Sequence, residues 1–400
     1  MKTDYDSYLN TTDWLVERNQ PVVLVLTETL EAASGPDSVI LPPTYARKSG
    51  DHPYAISHLD FETTEKLSPE EAAAQGREIN ICDLDSVGSQ ANRMEPAFMK
   101  APLNRLVPQI IIKAKEGFSV NLLQIGHRIA DGAVRFSGLC GEINEAMTAL
   151  SINRNAEKLA KLAPTSLVFG FWNSREKDDT RLAIKFSRIV TSTIRASNVA
   201  PLKRSAQFNP AFDPSQIGLS DDTNLEASQE SKDEKSPLSQ LGLRSAPAVD
   251  THGGVRVFGK IVRQTQVNLV ALRALACVKN SEVLPDETMK LRRYLLALSL
   301  VAARVQSCYN LRQGCLLIGK KNTPALSEAV FPDGARKSFD WDFGNIQEFA
   351  VDAARAFGVY QESPKPREYC FDREKVTEAI EKTREKPGKK SKTQAKPATA

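Results

Sequence analysis

The run PVVLVLTETL at residues 21–30 narrows most sharply what this chain can become. Apolar and β-branched over most of its length, it reads as a buried strand, and the Pro42-Pro43 step turns the chain into an exposed loop, TYARKSGDHPY. Strand-like and helix-like segments then interleave without a regular repeat. That pattern predicts an α+β domain with insertions, not a solenoid or a doubly wound sheet.

The helical signals vary in kind. SPEEAAAQG at 68–76 combines a Ser68 cap, Pro69 at the first position, Glu71 closing a capping box and Gly76 as a stop. Further helices are predicted at about 85–99, around 122–136 as an amphipathic helix, and ending before Pro164. The clearest is 287–306, capped by Asp286, with Leu291, Leu295, Leu298, Ala302 and Val305 on one face. A last one runs from Ile346 to Phe357, boxed by Asn345 and Glu348 and ended by Gly358. Strands are expected at 109–114, 166–172, within 181–199, in the stretch GGVRVFGKIVRQTQVNLVAL and at 314–318.

With 41% hydrophobic and 26% charged residues, the chain can bury one large core or two modest ones. No stretch approaches the roughly 18 uninterrupted apolar residues of a membrane span, and no signal-peptide pattern opens the chain, so the cytoplasm is the expected compartment with no membrane contact. Six scattered cysteines without a CxxC pair point to reduced thiols, not zinc or a disulfide framework. The formal charge of +4 comes from the tail: residues 382–400 hold six Lys and one Arg against one Glu. Any nucleic-acid surface must therefore be a local patch. The acidic segment 220–237 cannot support a core and reads as a flexible insertion, and the tail as disordered.

Enzyme-like motifs have structural readings beside them. GCLLIGKK at 314–321 departs from a phosphate loop at Lys321, where Ser or Thr should hold magnesium, and its apolar middle reads as a strand. FGFW at 169–172 lacks the basic-Gly pair of an RNA-recognition strand, so its aromatics read as core. His127 could serve as an acid or base, and Asp83, Asp85 and Glu95 as metal ligands, but acids beside a helix start are favoured by the helix dipole, and a structural histidine is the commoner case. No catalytic residue, metal or cofactor is assigned. More informative are clusters of polar and basic groups suited to single-stranded RNA: Arg47 and Lys48; Ser89, Gln90, Asn92 and Arg93; Arg128; Arg175; Arg188 and Arg195; Lys203, Arg204 and Gln207.

Four strings in order, DSVGSQANRMEPAF at 85–98, GHRIADGAVRFS at 126–137, LAPTSLVFGFWNSR with RIVTSTIRASNV at 162–199, and THGGVRV with LRRYLLAL and LRQGCLL at 251–317, resemble the CRISPR backbone subunits of type I-G (formerly I-U) systems, the GSU0053-like family. The resemblance implies a modified RNA-recognition (ferredoxin-like) palm with large insertions and a projecting hairpin within 200–255. It divides the chain into an N-terminal part of the palm (1–200), a thumb-like insertion (201–255), the C-terminal part with closing helices (256–381) and the basic tail (382–400). It also implies a multi-copy subunit that binds CRISPR RNA along its length and presents it to target DNA. Expected partners are further copies of the chain in a head-to-tail filament, a guide-processing or capping subunit and a large subunit. Guide contacts would fall on Arg47 and Lys48, on Gln90, Asn92 and Arg93, and on the stretch Arg188 to Arg204. The alternative is an RNA endonuclease of the same superfamily using His127, or Asp83 and Asp85 with a metal; such relatives carry a Gly-rich loop near the C-terminal end, where this chain offers only Gly253-Gly254.

Overall fold

The computed structural model describes residues 5–9, 19–46, 53–59, 67–173, 184–212, 214–217, 241–243, 246–306, 308–339 and 342–385. The acidic segment 220–237 and residues 386–400 of the basic tail lie outside them. The fold is mixed α+β, built on a nine-stranded sheet. The expected first strand, Val23–Ala32, is central and runs antiparallel to Ile261–Asn268 on one edge. On its other edge it meets Leu326–Val330 along its first half and Cys315–Gly319 near its end. Val190–Ser197, Asn80–Asp85 and Ile56–His58 extend the sheet beyond Ile261–Asn268, all antiparallel.

One face of this sheet is apolar at both ends and polar across the middle. On the central strand Leu24 and Leu26 join the large core, while Leu30 and Ala32 join a smaller one. Val267 and Val190 belong to the first, Ile261, Ile194 and Ala196 to the second. The same inward-facing rows place Glu28, Arg263, Thr265 and Ser192 between them. Side chains alternate in a strand, so every second residue of each strand points into this seam.

Cross-links replace water there. Arg263, 0% exposed, donates to Glu28 Oε2 at 2.5 Å, to the Ala303 carbonyl at 2.9 Å and to Gln90 Oε1 at 3.1 Å. Ser192 hydroxyl lies 2.8 Å from Thr265 Oγ1 and donates to Gln90 Oε1 at 3.0 Å.

The long helix Pro285–Arg304 carries the large core. Leu291, Leu295, Leu298 and Ala302 are buried as predicted, but so are Leu296, Ala297, Leu300, Val301 and Ala303, so the C-terminal half is enclosed on all sides instead of one. Its cap position is Leu284 with Pro285 at the first turn, not Asp286, because proline's fixed φ and missing N–H suit a first helical residue. The helix Phe343–Ala356 starts earlier than expected, with Asp342 accepting from the Asn345 N–H at 3.0 Å. Gly358 (φ +77°) follows its end. The 68–71 capping box is present in both directions.

Three expectations need correction. The predicted 85–99 helix is the tail of the strand Asn80–Asp85, a helix Val87–Met94 capped by Ser86, and a 3₁₀ turn. The expected helix around 122–136 is broken into Leu122–Gln124, Arg128–Ala130 and Gly132–Arg135, with Arg128 at φ +54°, a conformation no helix interior accepts. The segment 166–172 is mostly helix, Pro164–Phe169. Its residues are buried on every side, which removes the periodicity that separates helix from strand.

The segment Cys315–Gly319 is indeed a strand, with Cys315 and Leu317 buried. Among the five cysteine side chains described, Cys82, Cys277 and Cys315 are buried, Cys140 is half-buried and Cys370 exposed, all free thiols. Val199–Phe208 and Ala246–Val257 form a long antiparallel hairpin. Gly253 and Gly254 sit within it: a Cβ on Gly253 would come within 2.7 Å of the Leu202 carbonyl, and Gly254 (φ +93°) packs against Ile40.

Candidate nucleic-acid interface

The predicted polar clusters have different fates. In the helix Val87–Met94, Gln90 is 0% exposed; its amide donates to Asp85 Oδ2 at 2.6 Å and its oxygen accepts from Ser192 and Arg263. Arg93 donates to Asp85 Oδ2 at 3.0 Å and to the Leu311 carbonyl at 2.6 Å. Both serve the fold, since a buried carboxylate and buried carbonyls need donors where water cannot reach. Ser89 is half-buried and Asn92 exposed. Arg195 is exposed but paired with Asp83 at 2.8 Å. Lys203, Arg204 and Gln207 stand exposed on the hairpin strand, opposite His252, Thr251 and Pro247. Arg47, Lys48 and Arg175 lie outside the described residues.

Asp83 and Asp85 are strand residues and not helix-start acids. Arg195 neutralises the first, and Arg93 with Arg312, 3.6 Å away, the second. Among the described residues no group of three or more His, Cys, Asp and Glu side chains is arranged to hold a metal.

What the structure does bring together is a groove of about 900 Å³ between the broken 126–136 segment and the strand pair Phe171–Asn173 and Ile184–Phe186. Among the described residues four cations line it, Arg128, Arg135, Lys185 and Arg188, against one carboxylate, Asp131, which caps the turn at Gly132. Gly170 makes the groove possible: at φ +73°, a Cβ there would meet Arg188 Cγ and the Phe186 carbonyl, each at 2.8 Å. Only glycine tolerates both the backbone conformation and the contact.

The floor is a pair of arginines. Arg128 is 3% exposed, held by Glu95 at 2.8 Å and by the Gly170 carbonyl at 3.3 Å, with its guanidinium 5.3 Å from the Phe169 ring centroid. Burial pushes the Glu95 carboxyl up to about 7, against the pull of Arg128. Arg188 donates through Nε to the Phe169 carbonyl at 2.9 Å. Partial burial and the charge of Arg128 hold Arg188 below its ordinary value. Among the described residues Arg188 has no carboxylate partner.

The wall is aromatic. Phe171 and Phe186 stack with centroids 5.8 Å apart, and beside them Trp172 is 66% exposed, with Lys185 Nζ 5.8 Å from its ring centroid. The core reading of FGFW thus holds for Phe169 and Phe171 but fails for Trp172. Alternation explains it: in a short strand that buries Phe171 and Asn173, the residue between them faces out. Asn92 adjoins the groove, its amide 3.2 Å from where a Cβ on Gly126 would stand. Arg135, Lys185 and Trp172 were not among the predicted site residues. The signal for Trp172 and Lys185 is their cross-strand pairing on one face of a hairpin; its second strand lies within the strands expected at 181–199, while Trp172 was expected at the end of a longer strand at 166–172.

His127 also lines the groove and is exposed, and among the described residues its imidazole makes no hydrogen bond.

Residues 24–201 match the family model of CRISPR-associated protein GSU0053 (Cas_GSU0053). No curated protein matches the chain. The matched segment contains every cation of the groove and Trp172, and ends before most of the hairpin.

Proposed function

From a segment of the GSU0053-type CRISPR-associated family, we propose that this chain is a multi-copy backbone subunit of a type I-G CRISPR effector complex, binding the CRISPR RNA along its length and presenting it to target DNA. The observation that carries this reading is the open groove, lined among the described residues by four cations, one carboxylate and an exposed tryptophan. Cations neutralise phosphates, and exposed aromatic faces take unstacked bases, the combination that single-stranded RNA needs. The large antiparallel sheet is compatible with an RNA-recognition-type palm, and the hairpin Val199–Phe208 with Ala246–Val257 is the candidate for the projecting element. Further copies of the chain, a capping subunit and a large subunit are the proposed partners.

No catalytic role is proposed. The metal-dependent form of the nuclease alternative would need Asp83 and Asp85 free for a metal, and both carboxylates face arginines; its other form would use His127, which lines the groove.

The test is co-expression with the cognate CRISPR RNA, followed by size exclusion with the 260/280 nm absorbance ratio. A defined ribonucleoprotein of several copies at a fixed RNA-to-protein ratio is expected. An RNA-free monomer with and without the guide would overturn the reading.

A further inference from the structure

Trp172 is an exposed indole on a short strand that buries Phe171 and Asn173, beside the cations of the groove. An indole left two-thirds in water contributes little to the core, and across the two strands it pairs with Lys185, whose ammonium stands 5.8 Å from the ring centroid. An aromatic face flanked by cations suits a planar ligand that carries its own negative charge.

The charge stands close by in the same groove. Arg188 has one guanidinium N–H fixed on the Phe169 carbonyl and no carboxylate partner among the described residues. A guanidinium carries five donors, so Nη1 and Nη2 remain for an anion. The Arg128 guanidinium is anchored behind it by Glu95 and the Gly170 carbonyl and adds fixed positive charge. Two guanidiniums held on consecutive carbonyls, Phe169 and Gly170, repel each other, and an anion between or above them relieves that repulsion.

Resting on the RNA-binding reading above, we propose that the groove holds one nucleotide of single-stranded RNA at a two-part subsite: its base stacks on Trp172, and an adjoining phosphate sits on Arg188. Lys185 supplies a second cation at the edge of the stacked base. Stacking is tolerant of base identity because every base offers a π-face, so the subsite takes nucleotides without reading sequence. That is what a subunit repeated along a guide of varying sequence requires.

The experiment uses the full chain and fluorescence anisotropy with two labelled probes of equal length, an oligouridylate and an abasic oligoribonucleotide with the same phosphates. Wild type, Trp172→Ala, Trp172→Phe and Arg188→Gln are compared, with circular dichroism to check folding. Trp172→Ala should weaken oligouridylate binding by about 5- to 150-fold. It should leave the abasic probe unchanged, and Trp172→Phe should recover most of the loss. Arg188→Gln should weaken both probes and lower the slope of log affinity against log salt by about 0.7. If wild type binds oligouridylate and Trp172→Ala binds it equally well, or loses both probes equally, the stacking subsite is overturned while RNA binding stands. If wild type binds neither probe nor the cognate guide, the RNA reading falls and the subsite with it.

Discussion

Arg263 and Glu28 face each other on adjacent antiparallel strands, Nη1 to Oε2 at 2.5 Å, in the polar seam that divides the apolar face of the main sheet. Arg263 is entirely enclosed and Glu28 nearly so. The Tyr309 hydroxyl, 3.2 Å from the same carboxylate oxygen, and Arg304, 3.7 Å from the other, complete the cluster. Burial and the Glu28 charge help push the Tyr309 phenol up to about 12, so it stays a neutral donor.

Removing one member of this pair should cost far more than removing both. Arg263→Met leaves Glu28 charged in a closed site and should destabilise the protein by about 3–5 kcal/mol, whereas a Glu28→Gln/Arg263→Met double variant should recover part of that loss. Urea unfolding of the two variants and wild type checks this. Equal losses for single and double variants would show that the pair does not act as a unit.

Gly170→Ala should be destabilising by more than about 1 kcal/mol, since it combines a left-handed φ with a 2.8 Å approach to both Arg188 Cγ and the Phe186 carbonyl. It should also weaken RNA binding, because relief of the contact moves Arg188. Thermal melting paired with anisotropy tests both, and an unchanged melting temperature counts against the strained contact.

The buried Glu95 predicts a pH dependence with an unusual sign. Its folded carboxyl titrates near 7 instead of the ordinary 4.5, because burial disfavours the ion more than Arg128 favours it. Between those two values the folded state holds a proton that the unfolded chain has released, so stability falls as pH rises from about 4.5 to 7 and is level above. The effect amounts to about 3 kcal/mol at most. Glu95→Gln does not titrate, so its urea midpoint should decline less than wild type over this window; parallel curves would rule the account out.

Arg93→Glu should act on folding. It removes donors from the Leu311 carbonyl and from the buried Asp85 carboxylate and places two acids together, which predicts a loss of about 3 kcal/mol or more in stability. In whatever fraction remains folded, RNA affinity per folded molecule should stay near wild type. A variant that melts normally but fails to bind RNA would return Arg93 to the interface.

Elements whose cause lies within a few residues were legible from the start: the 68–71 capping box, the strand at 21–30, the stop at Gly358 and the existence of the long helix, expected at 287–306 and found at Pro285–Arg304. The site was legible only in part. Arg128 and Arg188 both line the groove, but Gln90, chosen for the same polar chemistry, is turned inward, and Arg93, half-buried, is held on Asp85 and the Leu311 carbonyl. Donor chemistry is identical in both roles, and only packing decides whether carboxylates and carbonyls or solvent lie within reach.

Local order therefore determined which segments of this chain are strands or helices wherever caps, prolines and alternation act over short range. Tertiary structure decided the rest. It broke 122–136 around Arg128, converted the enclosed segment at 164–169 into helix, and turned Trp172 outward beside Lys185. It also set Arg263 against Glu28, 235 positions apart in sequence. Burial and the pairing of distant strands are properties of the assembled sheet, and no short window of sequence contains them.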